Sequence, residues 1–290
     1  MNGIRIGSET HKELFCGTFV DSHRPFRPEE IVFPELEPEA LARLRALPVW
    51  SEAARTEAET AVKVQTLGRV EPDPMLAEAI ALQGYEEGRH ASIIQLLVRR
   101  YGISIEAFDS PAPPKDPVWT FLSIGYGECI DSFFAFGLFE LGRRCDYFPA
   151  ALTDIFDPIV QEEARHILFL VNWAAYLRAQ RGWVTRPIFA VRLGAVIAGQ
   201  LFEHARHAAA FGGNGSEEGF EMASHGALGD ISAREFLELC LSENVRRLGR
   251  YDERLIRPRL VPCAVRMALK LMPRHRARQS MTTSLRAEKK

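Results

Sequence analysis

Two short stretches of this sequence constrain its fold more than any other feature, because each places a glutamate three residues before a histidine. They are Glu87-Gly88-Arg89-His90 and Glu163-Ala164-Arg165-His166. At about 100° per residue, the glutamate and histidine of each stretch lie roughly 60° apart on one helix face. One helical turn can therefore offer a carboxylate and an imidazole to the same ion.

Both pairs lie on apolar stripes of their helices. The first pair shares its stripe with Leu76, Ile80, Gln83, Ile94 and Leu97, and the second with Leu152, Ile155, Ile159, Leu170 and Trp173. An ionised carboxylate in an apolar interior is unfavourable unless it is paired or binds a metal. A single pair would be explained more simply as a solvated helix turn, but two pairs predict a cation held between two helices.

Length, composition and charge indicate a globular protein with a large core. The chain has 290 residues, of which 47% are hydrophobic and 10% aromatic. Its net charge of -2 hides an asymmetry, because residues 254–290 contain eleven Lys or Arg and one Glu. The first ten residues lack the apolar segment of a signal peptide, and no stretch reaches the roughly 18 apolar residues of a membrane span. With five cysteines in unpaired spacing, we expect a cytoplasmic protein.

Prolines, glycines and apolar periodicity divide the chain into an N-terminal arm, a helical domain and a tail. Five prolines among residues 1–48 predict an extended arm with one short helix at about 39–47. The helical domain is predicted at 49–256 and the basic amphipathic tail at 257–290. Within the domain, residues 49–181 form a four-helix core, with helices at about 49–69, 74–101, 118–143 and 150–181.

Two additional helices are predicted within residues 187–254, at about 187–211 and 232–254. The second begins with Ser232-Ala233-Arg234-Glu235, which has the pattern of a capping box. His11 and His23 in the N-terminal arm are interpreted as surface or packing residues. The third long helix is rich in phenylalanine, and some of these rings could line an apolar pocket while the others form core: Phe121, Phe133, Phe134, Phe136 and Phe139.

The first and third long helices each carry one glutamate on an apolar stripe. Glu57 lies on such a stripe, whereas Glu59 lies about 200° away on the polar side of the same helix. Glu57 and Glu87 are each 15 residues from Pro72, so a helical hairpin brings them to one height. Glu128 occupies the equivalent position in the third helix. The four helices thus present six candidate metal ligands, which are Glu57, Glu87, His90, Glu128, Glu163 and His166.

The charge of this set matches two divalent ions. Four carboxylates and two neutral imidazoles carry about -4, and mixed oxygen and nitrogen ligation suits iron or manganese better than structural zinc. Carboxylate-bridged di-metal bundles take one Glu from each of two helices and a Glu-x-x-His from each of the other two. The sequence therefore predicts a di-metal centre inside a helical bundle.

The six residues resemble the ligand set of the ferritin-like di-iron carboxylate superfamily, over about residues 49–181. The strings Glu86-Glu87-Gly88-Arg89-His90 and Glu162-Glu163-Ala164-Arg165-His166 are similar to the Glu-Glu-x-Arg-His strings of soluble acyl-carrier-protein desaturases and of di-iron N-oxygenases. The resemblance implies an all-α fold, a ferritin-like antiparallel four-helix bundle. It implies two iron ions, with manganese or a mixed manganese and iron pair as alternatives, and O2 as co-substrate.

The resemblance also assigns roles to the candidate ligands. Glu87 and Glu163 would bridge the metals, and Glu57 and Glu128 would be terminal carboxylates. Each iron would bind one histidine, either His90 or His166. N-oxygenases of this fold carry a further histidine ligand four residues before the second Glu-x-x-His, and here Ile159 occupies that place.

Other polar residues could support or extend the ligand set. Arg89 and Arg165 are expected to pair with carboxylates of a neighbouring helix and so fix the ligands, and Asp131 could support Glu128. Glu203 and His207 are four residues apart on one face of the fifth long helix, so an additional ligand from that helix is one alternative. The other alternative is that His207 and its neighbour His204 make polar contacts between helices.

These features favour a di-iron oxidoreductase, an oxidase or monooxygenase that hydroxylates, N-oxygenates or desaturates a small-molecule or carrier-bound acyl substrate. Electrons would come from an external donor such as a ferredoxin or a reductase. Iron handling of the ferroxidase or peroxide-scavenging kind is an alternative, as is a non-catalytic, membrane-associated scaffold. The additional helices and the arm favour an enzyme over a cage-forming ferritin subunit, which needs only a compact four-helix bundle.

The basic tail leaves three interpretations open. Residues 257–278 could cap the bundle, lie on an anionic membrane surface as a peripheral contact, or dock an acidic carrier protein. A nucleic-acid partner is not expected, because the basic character is confined to the tail and lacks an aromatic platform. If the chain self-associates, we expect a homodimer.

Overall fold

The computed structural model describes residues 4–211 and 231–272, without the side chains of residue 205 and residues 207–211. Within these ranges the chain is all-helical, with nine α-helices, one 3₁₀ helix and no strand. The all-α prediction is therefore confirmed. The α-helices are α1 (Glu9–Asp21), α2 (Pro38–Ala46), α3 (Trp50–Val70), α4 (Pro74–Tyr101), α5 (Pro117–Arg144), α6 (Ala150–Gln180), α7 (Thr185–Phe211), α8 (Ala233–Leu248) and α9 (Leu260–Leu271).

The four long helices α3 to α6 begin and end close to their predicted positions, because local signals define their ends. Asp73 caps α4 by accepting hydrogen bonds from the backbone N–H groups of Met75 and Leu76, and Pro74 is the first helical residue. Gly102 ends α4 in the left-handed region, with a φ of 61°. Asp116 caps α5 in the same way as Asp73 caps α4.

Two antiparallel hairpins, α3/α4 and α5/α6, place the candidate ligands. In the first hairpin, Gly84 allows close approach, since a Cβ there would lie 2.7 Å from Cγ of Gln65. About one helical turn to either side of this contact, Gly88 faces Ala61 and Gly68 faces Ala81, in the reverse order expected of antiparallel helices. In the second hairpin, Gly125 allows the same close approach, because a Cβ there would overlap the side chain of Leu170.

The N-terminal arm departs from its prediction. Residues 9–21 are not extended but form α1, which packs against α4 and α6 and buries Phe15, Cys16 and Phe19. The buried face also contains His11 and Lys12, so the sequence shows no clear apolar stripe. The short helix predicted at about 39–47 is confirmed as α2.

Two long-range contacts stabilise the polar part of α1. The Nε2 atom of His11 lies 3.1 Å from Oδ1 of Asn172 in α6, so the packing interpretation of His11 is confirmed. The ammonium group of Lys12 lies 2.5 Å from Asp73 and 2.7 Å from Glu9, and these carboxylates raise its pKa. Because both polar groups are paired, their burial is tolerated.

The later helices follow the sequence with one correction. Helix α8 begins with the predicted capping box between Ser232 and Glu235, but it ends at Leu248, before Gly249, rather than near residue 254. Helix α9 lies within the predicted tail and packs against α5 and α8 through Val265, as a cap on the bundle would. The remaining tail, residues 273–290, lies outside the described residues. None of the helices in the described ranges is long and apolar enough to cross a membrane.

Candidate metal centre

Side chains from α3, α4 and α6 converge in the interior between the two hairpins. The imidazole rings of His90 and His166 are fully buried, with centroids 5.7 Å apart. Four side chains at this place offer ligand atoms that all lie within 4.8 Å of one another and could hold a metal ion. They are Glu57, Glu87, His90 and Glu163. The structure thus brings together residues that are more than 100 positions apart in the sequence.

Two carboxylates lie between the two histidines. The Nδ1 atom of His90 is 3.0 Å from Oε1 of Glu163 and 3.9 Å from Oε2 of Glu87. The Nδ1 atom of His166 is 3.0 Å from Oε1 of Glu87 and 3.5 Å from Oε2 of Glu163. Each of these carboxylates therefore faces both imidazoles, whereas Glu57 lies beside His90 alone, at 3.6 Å.

The two Nδ1 atoms lack hydrogen bonds of acceptable geometry. Within the described residues, Nδ1 of His90 and Nδ1 of His166 are both buried and have no hydrogen-bond partner, although carboxylate oxygens lie 3.0 Å away. Buried polar atoms are nearly always satisfied, so two orphaned imidazole nitrogens facing carboxylates need an explanation. Coordination of a metal ion by these nitrogens would supply one.

The opposite nitrogen of each ring is fixed by a carboxylate from the facing helix. Glu162 of α6 lies 2.9 Å from Nε2 of His90, and Glu86 of α4 lies 2.9 Å from Nε2 of His166. A histidine that ligates a metal through one nitrogen commonly donates its other N–H to a carboxylate, which sets the tautomer and the ring orientation. The crossed pairs therefore leave Nδ1 of each ring directed at the cluster.

The two arginines hold these outer carboxylates in place. Arg89 of α4 donates to Oε1 of Glu162 at 2.6 Å, and Arg165 of α6 donates to Oε1 of Glu86. This confirms that Arg89 and Arg165 pair with carboxylates of a neighbouring helix. The roles of Glu86 and Glu162 are not predicted from the sequence, although each is the first residue of one of the repeated five-residue strings.

His23 has a different environment from the one expected. It follows α1, and its Nδ1 atom lies 2.5 Å from Oε1 of Glu86, so it is neither a free surface residue nor a simple packing residue. Glu86 thereby contacts His23, Arg165 and His166 together. Although burial opposes ionisation, His166 and then Arg165 lower the pKa of Glu86 to about 2.

The lone glutamate of α3, Glu57, belongs to the group of possible metal ligands, whereas Glu128 of α5 lies outside that group. Burial raises the pKa of Glu57 to about 7, with Glu87 and Glu163 adding to the effect and His90 opposing it. Burial, followed by the same two carboxylates, raises the pKa of Glu128 well above its usual value. The sequence-based preference for Glu57 agrees with the contacts. Its alternative, Glu59, pairs instead with Arg55 at 2.8 Å and Lys63 at 2.7 Å on the polar side of α3.

The charges inside the cluster depend on one another. Burial lowers the pKa of His90, but the carboxylates of Glu162, Glu163 and Glu57 outweigh it and hold that pKa well above 6.5. The pKa of His166 is raised in the same way, against burial, chiefly by Glu87 and Glu163. Conversely, the two imidazoles lower the pKa of Glu163 despite its burial. Without a metal, protons on the imidazoles neutralise part of the carboxylate charge.

The structure gives the other candidate residues different partners. Asp131, expected to support Glu128, has a side chain that is 68% exposed and lies 2.8 Å from His204 of α7. This pair confirms the polar interhelical contact predicted for His204. Glu203 is 47% exposed and pairs with Arg206 at 2.6 Å, so it lies outside the group of possible metal ligands. The side chain of His207 lies outside the described residues.

The donor set fits a metal centre by its chemistry as well as its geometry. Two groups of Glu and His side chains among the described residues could hold an ion, the first formed by Glu57, Glu87, His90 and Glu163 and the second by His23, Glu86 and Glu162. Oxygen with imidazole ligation suits iron or manganese. No protein-family model, no curated protein and no solved structure matches this chain. The arrangement of the side chains is therefore what supports a functional interpretation.

Proposed function

We propose that this protein is a ferritin-like di-iron oxidase or monooxygenase that uses O2 to hydroxylate, N-oxygenate or desaturate a small organic substrate. The observation that carries the proposal is the pair of buried Nδ1 atoms, on His90 and His166, which lack hydrogen-bond partners among the described residues and face shared carboxylates. Helices α3 to α6 would form the four-helix bundle. Manganese, alone or mixed with iron, is compatible with the same ligands.

Each ligand has a role that follows from its position. Glu87 and Glu163 face both histidines and would help to hold both ions. Glu57 would complete the coordination of the ion at His90, and Glu128 that of the ion at His166. Glu86 and Glu162 would hold the imidazoles in the tautomer that binds metal.

The charge balance supports two divalent ions. Four carboxylates meet two imidazoles in the cluster, and burial raises the pKa of both Glu57 and Glu128. Their ionisation therefore needs a positive charge nearby, which protons or metal ions can provide. When bound, an iron pair would supply the reduction of O2. Hydroxylation would consume one O2, two protons and two electrons, the electrons coming from an external donor such as a ferredoxin or reductase.

An observation outside the ligand set favours an enzyme over iron storage. A cavity of about 620 Å³ lies between α3, α5 and α7, and Glu128 forms part of its wall. Ligand-binding pockets usually have volumes of this order. A protein that only stores or oxidises iron has no need of a cavity for an organic molecule beside its metal ligands.

Metal analysis of protein purified from iron-supplemented cells tests the proposal. We expect about two Fe per chain, lost in Glu87→Ala and in His166→Ala and retained in the matched control Glu59→Ala. Anaerobic ferrous protein exposed to O2 should show a transient visible absorption that decays faster with the true substrate. Many irons per chain with a mineral core would indicate iron handling instead, and an iron-free protein would contradict the proposal.

A further inference from the structure

The cavity between α3, α5 and α7 has a wall of mixed polarity. Its apolar part includes Trp119, Ile124 and Val196, and the rest comes from four hydroxyl side chains, one amide, one lysine and two carboxylates. The hydroxyl groups include those of Thr60 and Ser123, and the amide is that of Gln200, which donates to Ser123 Oγ at 2.9 Å. The expectation of a phenylalanine-lined pocket on α5 is not met at this cavity.

Glu128 connects the cavity with the metal ligands. It belongs to the wall, and its carboxylate lies near enough to those of Glu87 and Glu163 for their charges to repel one another. Gly127, next to it in the wall, lets Gln200 approach α5 closely, because a Cβ there would lie 2.8 Å from Oε1 of Gln200. A molecule in the cavity would therefore contact the side chain that we propose as a terminal ligand.

The chemistry of the wall restricts what can bind. In the described part of the chain, the hydroxyl groups of Thr60 and Thr120 donate no hydrogen bond, although both residues line the cavity. An acyl chain placed there would leave them without water or a partner, which disfavours binding. The charged side chains are already paired, Lys63 with Glu59 at 2.7 Å and Asp131 with His204 at 2.8 Å. The wall therefore does not demand a strongly charged ligand.

We propose that this cavity is the substrate site and that its substrate is a small, hydrogen-bonding molecule rather than an acyl chain. The hydroxyl groups of Thr60 and Thr120, which donate no hydrogen bond in the described part of the chain and share the wall with Glu128, carry this inference. The inference rests on the proposed function, because only an enzyme has a substrate. The binding of a polar ligand can nevertheless be measured on the metal-free protein. Of the substrate classes left open by the sequence, the geometry selects the small polar one.

The test uses benzamide, a planar neutral amide, and decanoate, an acyl chain, as probes of the metal-free full-length protein. Ligand-detected NMR titration should show benzamide binding. Binding should weaken about tenfold in the double variant Thr60→Val with Thr120→Val, because two hydrogen bonds are lost without a change in shape. The control is Thr66→Val, whose hydroxyl donates to the carbonyl of Val62 in its own helix. Its affinity for benzamide should equal that of the unmodified protein.

Three results would overturn the inference. They are tighter binding of decanoate than of benzamide, equal benzamide affinity in the double variant and the control, and no binding of benzamide at all. A second readout uses cobalt-loaded protein, in which benzamide should shift the visible absorption bands, since Glu128 lines the cavity. Loss of metal binding with intact benzamide binding would refute the proposed di-iron function but not the polar site.

Discussion

The two halves of the candidate metal centre contain the same residue types in different surroundings. The first, which we call the compact half, consists of Glu57 and His90, and its ligand atoms lie within 4.8 Å of those of Glu87 and Glu163. The second, the cavity half, consists of Glu128 and His166, and Glu128 lines the 620 Å³ cavity. A repeated motif has thus produced two unequal sites. Under the proposed function, the compact half would hold an ion and the cavity half would present one to a substrate.

The largest expected effect is the loss of both ions on removal of a shared carboxylate. Glu163→Ala should lower the metal content from about two per chain to near zero, because this carboxylate lies 3.0 Å from Nδ1 of His90 and 3.5 Å from Nδ1 of His166. Metal analysis measures this, with circular dichroism as a check on folding. If one ion per chain remains, the halves bind independently and Glu163 does not bridge them.

Removal of either lone glutamate should reveal a difference in metal retention between the two halves. Glu57→Ala and Glu128→Ala should each retain about one ion per chain, but the ion left in Glu128→Ala, in the compact half, should resist chelators longer. The reason is that its donor atoms are already gathered within 4.8 Å. Competition with a chromogenic chelator measures the difference, and Glu59→Ala is the matched control. Equal resistance in the two variants would mean that the halves hold metal equally well.

Substitution of an outer carboxylate should have a smaller effect on metal affinity, confined to one of the two ions. Glu162→Gln removes the charge that fixes His90 of the compact half, and Glu86→Gln removes the one that fixes His166 of the cavity half. Each change should lower the affinity for one ion about 10- to 100-fold, as measured by chelator competition. Glu78→Gln, an exposed position on α4, is the control. An effect no larger than in this control would show that the crossed pairs are not needed for binding.

Proton competition should make the metal affinity fall as the pH is lowered. The pKa of Glu57 is raised from 4.5 to about 7 by burial, so this carboxylate binds a proton between those values in the folded, metal-free chain but not in the unfolded one. Its protonation therefore stabilises the metal-free fold fully below about pH 4.5, and that contribution is lost as the pH rises through about 7.

A bound metal replaces that proton, so its stabilising effect should grow with pH. We expect the difference in Tm between loaded and metal-free protein to increase from pH 5 to pH 8, and calorimetry in two buffers should detect proton release on metal binding. Glu57→Gln should reduce both effects. A difference in Tm that is independent of pH would show that protons and metal do not compete in the compact half.

The sequence predicted the parts of this centre that depend on local spacing. The positions of α3 to α6 follow from capping residues, prolines and glycines such as Asp73 and Gly102, and the spacing of each Glu-x-x-His directs both side chains to one side. These properties require no knowledge of the partner helices. The equal height expected for Glu57 and Glu87 is wrong, because the contacts of Gly84 with Gln65 and of Gly88 with Ala61 place Glu87 opposite about residue 62. Their side chains nevertheless bring ligand atoms within 4.8 Å of each other.

The features that the sequence does not predict depend on contacts between distant segments. The prolines of the N-terminal arm predict an extended segment, and helix α1 shows no clear apolar stripe because His11 and Lys12 occupy its buried face. Their partners Asn172 and Asp73 lie in α6 and at the start of α4. The contact of His23 with Glu86 is likewise set by how α1 packs. No local sequence pattern indicates such pairings. The residues around the candidate metal ligands were therefore only partly predictable.

The smallest expected effect concerns Asp131, which lies near the cavity half but pairs with His204. Because this carboxylate is 68% exposed, Asp131→Ala should change the free energy of unfolding by less than about 1 kcal/mol, as measured by urea denaturation. It should leave metal content and chelator resistance unchanged, in contrast to Glu128→Ala one helical turn earlier. A loss of metal only from the cavity half would show instead that Asp131 turns toward Glu128 when the ions bind, and that this half is completed by metal rather than preformed.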